Sequence, residues 1–184
     1  MTSAFFYGAL MHPKILKRVL ENDACHLKIC PSILSDYMRH KVKNADYPAI
    51  LPCERSKALL GRELTAEENC IRGTLVSGLT AEDVALLDAF EGDQYVRLQV
   101  FVRPLGPFTP VPVDTASLIP ADLPPSSAAS ELAQTVPAQT YAWGREDSDL
   151  DEELWSFDEF VQKNAWKWID HGAGPQRNDD REEN

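Results

Sequence analysis

The sequence lacks any apolar run of the roughly 18 residues that a membrane-spanning helix needs, so no transmembrane segment is expected. Its first residues, Met-Thr-Ser-Ala-Phe-Phe-Tyr-Gly, carry neither the basic region nor the long apolar stretch of a secretory signal. A cytoplasmic location is the expectation. Cysteine is scarce, and Cys25, Cys30, Cys53 and Cys70 form no C-x-x-C pair. That removes the zinc and thioredoxin signatures, and in a reducing compartment leaves free thiols. His12, His26, His40 and His171 make no ligand pattern either, so no metal is expected. Positive charge is also short. With 18 Lys and Arg against 29 Asp and Glu, the net charge is −11, which argues against nucleic-acid binding. No internal repeat is present.

What remains is an ordinary globular composition. A chain of 184 residues, 43% hydrophobic and 26% charged, fits one domain with extensions. The charge is uneven: residues 1–62 hold 10 basic and 5 acidic side chains, and the remainder holds 8 and 24. Lys14, Lys17, Arg18, Arg39, Lys41 and Lys43 belong to the basic part. Two readings stand for them: attraction of a small anionic substrate, or solvated faces.

Residues 3–7 read as a buried strand broken by Gly8. Pro13 opens a helix to about residue 22, with Ile15, Leu16, Val19 and Leu20 as its apolar stripe. Residues 26–34 and 37–42 read as extended. Residues 47–52 are irregular or extended, because proline restricts itself and its predecessor. Residues 58–65 and 70–76 are expected to pair around Glu67-Glu68-Asn69. Residues 95–103 are rich in strand formers. Eight of the 13 prolines then fall within 104–137, which marks a loop or disordered insertion. A strand returns at 138–143. Ser156 and Glu159 signal a helix to about residue 169, expected to bury Phe157, Phe160, Val161, Trp166 and Trp168 in the core, with an interface for them to fill as the alternative. Residues 171–184 are polar and expected to be a disordered tail. The class is α+β: a small mixed β-barrel or curved sheet with flanking helices, over a single domain at 1–170.

The richest stretch is residues 80–92. Thr80 and Asp83 form a capping-box start, Gly92 is a C-terminal stop, and Val84, Leu86, Leu87 and Phe90 supply an apolar face. At about 100° per residue, Glu91 projects at the edge of that face. A carboxylate half-buried there is poised by desolvation for acid–base work near neutral pH. The alternative is a solvated side chain, or one paired with Arg97. Asp88 falls further towards the polar side, where a structural role is expected.

Tyr7-Gly8-Ala9-Leu10 sits at the first strand-to-helix junction. Backbone N–H groups before a helix start bind anions well, and glycine allows close approach. The alternative is an ordinary strand-ending glycine.

Taken in order, Tyr7-Gly8-Ala9-Leu10, Tyr47-Pro48-Ala49, Gly73-Thr74-Leu75, Leu87-Asp88-Ala89-Phe90-Glu91-Gly92, Tyr95-Val96-Arg97 and Tyr141-Ala142-Trp143 resemble the gamma-glutamyl cyclotransferase-like family, in its avirulence-induced-gene-like branch. The resemblance covers residues 4–103 and 138–168. It implies a small mixed barrel with Glu91 as acid/base. It also implies that Tyr7, Gly8, Ala9 and Leu10 bind the gamma-glutamyl group, with Tyr47 and Tyr141 as further wall candidates. Core packing for Tyr141 and bracing of the Pro48 turn for Tyr47 are the alternatives. The implied reaction is intramolecular aminolysis of a gamma-glutamyl amide, releasing 5-oxoproline. No metal or organic cofactor is required. The implied partner is a small gamma-glutamyl substrate, with no nucleic acid and no membrane, and the chain is expected as a monomer or weak homodimer. Two other functions stay open: the same fold acting on another acyl or specialised-metabolite substrate, and a non-catalytic binding protein. Ala9 stands where the family often has Ser or Thr, which removes a hydroxyl but leaves the backbone contacts. The insertion at about 104–137 is longer than in compact members.

Its composition cannot bury enough apolar surface to offset ordering entropy. Replacing residues 114–134 with a short Gly/Ser linker should therefore leave the thermal midpoint within about a few degrees of the parent. Loss of a cooperative melt would place the segment in the core.

Overall fold

The structure is a computed structural model that describes residues 1–113, 135–172 and 174. The disorder expected of 114–134 and of most of the tail lies outside these residues. Five strands close into a barrel: β1 (Thr2–Phe6), β2 (Lys28–Ser35), β5 (Cys70–Leu79), β6 (Tyr95–Pro104) and β8 (Val136–Trp143). Their order is β5-β1-β8-β6-β2, and β2 pairs back onto β5. That closing pair is antiparallel from Lys28 opposite Ser77 to Ser35 opposite Cys70. A two-residue strand, β7 (Thr109–Pro110), continues along β2 beyond β6. A second antiparallel sheet, β4-β3-β9, is made by β3 (Tyr37–Val42), β4 (Pro48–Pro52) and β9 (Leu150–Leu154). The mixed barrel with flanking helices is the architecture expected from the sequence.

Alternation along the strands divides the core. Phe5, Cys30, Leu34, Ile71, Leu75, Val100, Val102, Ala138 and Ala142, drawn from all five barrel strands, pack together inside. Ala4, Phe6, Ile29, Val76, Tyr141 and Trp143 face outwards, and helices cover them. Those helices are α1 (Pro13–Leu20), α3 (Ala81–Glu91), α4 (Phe157–Lys163) and α5 (Ala165–Asp170). The stripe Ile15, Leu16, Val19 and Leu20 of α1 is buried as its spacing requires. No described helix is long and apolar enough to cross a membrane.

Two expectations fail. Residues 58–65 do not pair with 70–76. Cys53–Leu60 is a helix, α2, ended by Gly61 in the left-handed region at φ 65°. The apolar run Ala58-Leu59-Leu60 is its last turn, and β5 finds its partners in β1 and β2 instead. The buried Ser56 of α2 meets His40 Nε2 at 2.9 Å, while His40 Nδ1 lies 2.9 Å from the Asp151 carbonyl. A carbonyl only accepts, so Nδ1 carries the proton and the Ser56 hydroxyl donates to Nε2.

The helix expected up to residue 169 is broken at Asn164, whose φ and ψ are −127° and −24°. The break turns both Phe160 and Trp168 into the core and leaves Trp166 half exposed, against the expectation that it would be buried. The Pro-rich stretch also begins and ends in ordered strand, since β6 runs to Pro104 and β8 starts at Val136.

Gly73 sits inside the barrel where the Phe5 ring lies. A Cβ there would fall 2.3 Å from the Phe6 carbonyl oxygen and 2.7 Å from the Phe5 ring. Backbone cannot move aside as a side chain can. Gly73→Ala should cost about 1–3 kcal/mol of stability, the range for overpacking, read from chemical denaturation.

Candidate active site

Element lengths bring Glu91 to the far end of β1. α3 starts beside the first residue of β1, because Leu79 at the end of β5 lies opposite Thr2. Its 11 residues span about 16 Å at 1.5 Å each. The five residues of β1 span about 17 Å. The helix therefore runs the length of the strand and delivers its last residue to the turn that follows β1. Both halves of the capping box fix the start: Thr80 N–H donates to Asp83 at 2.9 Å, and Asp83 N–H donates to Thr80 Oγ1 at 3.1 Å. Gly92, at φ 66°, ends the helix in a region that favours glycine.

The turn after β1 is Tyr7-Gly8 followed by one 3-10 turn, Ala9–Met11, and then α1. The first N–H groups of such a turn have no partner within it. Pro48, at the start of β4, presses against it. A Cβ on Gly8 would lie 2.9 Å from Pro48 Cγ, so only glycine fits there.

Between these elements is a small cavity of about 30 Å³, partly open to solvent. Every site residue named from the sequence lines it: Glu91, Tyr7, Gly8, Ala9, Leu10, Tyr47 and Tyr141. Phe5, Phe6, Pro48, Phe90, Tyr95 and Trp168 complete the wall. Sequence reasoning passed over these six. Pro48, Phe90 and Tyr95 stood within quoted motifs, so their neighbours were a signal; Trp168, arriving from α5, had none.

The phenols form a connected frame. The Tyr7 hydroxyl donates to the Tyr141 carbonyl, and the Tyr95 hydroxyl donates to the Pro48 carbonyl at 2.8 Å. The Tyr47 hydroxyl donates to Gln94 at 3.2 Å, and its ring meets Trp168 edge-on with centroids 6.1 Å apart. Phe90 meets the same indole at 6.0 Å. Tyr47 thus lines the cavity, while Tyr95 braces the Pro48 turn. Burial raises the pKa of Tyr7, Tyr95 and Tyr141, which keeps all three as neutral donors.

Glu91 is half-buried: it keeps access through the cavity, yet protein crowds its carboxyl on the other sides. Desolvation, followed by the charge of Asp88, pushes its pKa up to about 8. No hydrogen-bond partner for the Glu91 carboxyl is found among the described residues. Arg97 does not pair with it. Arg97 Nε lies 2.9 Å from Asp88 Oδ1, and the Tyr141 hydroxyl donates to the same oxygen at 2.7 Å. Asp88 is therefore tied to the cavity wall rather than standing apart on the polar face.

The basic residues of the N-terminal part do not line the cavity. Arg39 donates to the carbonyls of Tyr7 at 2.9 Å and Arg72 at 3.3 Å; burial, then the Arg72 charge, lowers its pKa to about 10. Lys41 pairs with Glu153 at 2.6 Å, and Lys43 donates to the Ser148 carbonyl. Among the described residues no cluster of His, Cys, Asp and Glu could hold a metal ion.

Residues 4–116 match the family described as Gamma-glutamyl cyclotransferase, AIG2-like. The chain belongs to that family. It is similar to Protein AIG2 C of Arabidopsis thaliana, 22% identical over 168 residues and covering 91% of this chain and 77% of that one. AIG2-like protein D of the same plant is 26% identical over 162 residues, covering 88% and 80%. In fold the chain is similar to an AIG2-like protein from Mus musculus, with a TM-score of 0.55 at 15% identity, covering 98% of this chain and 99% of that chain.

A carboxyl whose folded pKa is raised favours the folded state while protonated. That contribution is fully present below the unfolded value near 4.5 and is lost as pH rises to about 8. Glu91→Gln removes this cost. The variant should melt at a higher temperature than the parent at about pH 9, with the gap closing by about pH 4. Thermal melts at the two pH values check the sign.

Proposed function

We propose that this protein is a gamma-glutamyl cyclotransferase-like enzyme that releases 5-oxoproline from a gamma-glutamyl amide. The observation that carries the reading is Glu91, a carboxyl with its pKa raised to about 8, sharing one cavity with the Tyr7–Leu10 turn. The gamma-glutamyl group would lie against that turn, with backbone N–H groups receiving its carboxylate or the developing oxyanion. Glu91 as carboxylate takes a proton from the substrate α-ammonium group. The freed nitrogen attacks the γ-carbonyl, and closure of a five-membered ring supplies the high effective molarity. The C–N bond to the leaving amine then breaks: Glu91 as acid returns its proton to the departing nitrogen, and the ring nitrogen, left with one proton too many by its attack, gives that proton up to water. The products are 5-oxoproline and a free amine. The aromatic wall of Tyr47, Phe90 and Trp168 limits water at the reacting atoms. No metal or organic cofactor enters the scheme.

A carboxyl with this pKa serves both steps. At pH 7 about a tenth of it is ionised, enough to act as base, and its conjugate acid is strong enough to protonate the leaving nitrogen.

The test is a mass-spectrometric screen for 5-oxoproline released from gamma-glutamyl amines, gamma-glutamyl dipeptides and glutathione. Turnover of an accepted substrate should rise with pH through about 8 as Glu91 ionises. Glu91→Gln should keep the fold and lower kcat by roughly 10²–10⁴-fold, the usual contribution of a positioned general base. Wild-type turnover in that variant would make Glu91 a structural carboxyl.

A further inference from the structure

Asp88 precedes Glu91 by three residues on α3. Residues at that spacing share a helix face, with Cβ atoms about 5–6 Å apart. Its side chain is 42% exposed and that of Arg97 39%, so their ion pair contributes little to stability. The placement of its partners gives it another role. Its Oδ1 receives the hydroxyl of Tyr141, a cavity wall residue, and the Tyr141 carbonyl receives the hydroxyl of Tyr7. One carboxylate at the rim thus fixes a phenol that lies beside Glu91, and through that residue's backbone reaches the strand leading into Gly8.

The charged and titratable groups around Glu91 come from every element packed there. Asp88 shares α3, and Tyr7 in the turn after β1, Tyr95 on β6 and Tyr141 on β8 each feel the Glu91 charge. The three phenols are neutral at physiological pH. Asp88, ion-paired with Arg97 of β6 at 2.9 Å, is the acidic neighbour among them.

We propose that Asp88 is a positioning residue of this site: it holds Tyr141 against the cavity and, with Arg97 as counter-ion, sets the charge that Glu91 experiences. The catalytic consequence rests on the cyclotransferase reading; the control over Glu91 does not.

The experiment separates the two. Carbon-13 carboxyl NMR follows the titration of Glu91 in the full chain for the parent, Asp88→Asn and Asp88→Ala. An asparagine oxygen still accepts from the Tyr141 hydroxyl but carries no charge. Asp88→Asn should lower the Glu91 midpoint by about one unit, the scale of a neighbouring like charge, and leave the Tyr141 ring signals in place. Asp88→Ala should lower the midpoint and shift the Tyr141 ring signals as well. A Glu91 midpoint unchanged in both variants overturns the proposal. Tyr141 signals that match the parent in Asp88→Ala overturn its positioning half. On a substrate that releases 5-oxoproline, Asp88→Asn should move the rise of the pH–kcat profile towards acid by the same interval. If no gamma-glutamyl amide is turned over by the parent while the NMR shift is seen, the functional reading fails and the role of Asp88 stands.

Discussion

Everything near the cavity depends on the closure of β2 onto β5. The eight-residue antiparallel register from Lys28/Ser77 to Ser35/Cys70 removes both free edges of the sheet at once. It fixes where β5 ends, and with that where α3 begins. From there the arithmetic of rise per residue leaves little freedom. A helix as long as β1 must finish at the turn after β1, so a carboxyl at the helix end and a glycine at the strand end meet without any dedicated contact between them. The barrel interior, filled by Phe5 over Gly73, keeps the five strands at their spacing.

The site is organised by where its charges are not. The N-terminal cations are committed elsewhere: Arg39 to backbone carbonyls, Lys41 to Glu153 and Lys43 to the Ser148 carbonyl. The wall that faces Glu91 is phenolic and aromatic. A carboxyl so placed meets no counter-charge among the described residues, and desolvation, followed by the Asp88 charge, pushes its pKa up to about 8. This is a different use of polarity from His40 and Ser56, where buried groups satisfy one another and simply tie β3, α2 and β9 together.

Local signals were legible wherever the chemistry was local. Thr80, Asp83 and Gly92 bound α3 as capping preferences require, and Pro13 opens α1. Gly8, Tyr47 and Tyr141 come together because the ordered motifs carry the whole barrel with them. Three features were not legible, each for a tertiary reason. The short run Ala58-Leu59-Leu60 suits strand or helix, and only the partners of β5 decide between them. The break at Asn164 has no proline or glycine to announce it; it exists so that Phe160 and Trp168 both reach the core. Asp88 is polar by helical angle alone, and a partner 53 residues away, Tyr141, draws it to the site.

The approach of Gly8 to Pro48 ties two distant positions into one unit of sequence drift. With Pro48 Cγ 2.9 Å from where a Cβ would stand, any larger residue at position 8 demands a slimmer one at position 48. The change at position 8 is strained until position 48 has been slimmed, so the two exchanges have an order. Remodelling the cavity by directed evolution would then stall in libraries that vary codon 8 alone and succeed in those that vary codon 48 first or both together.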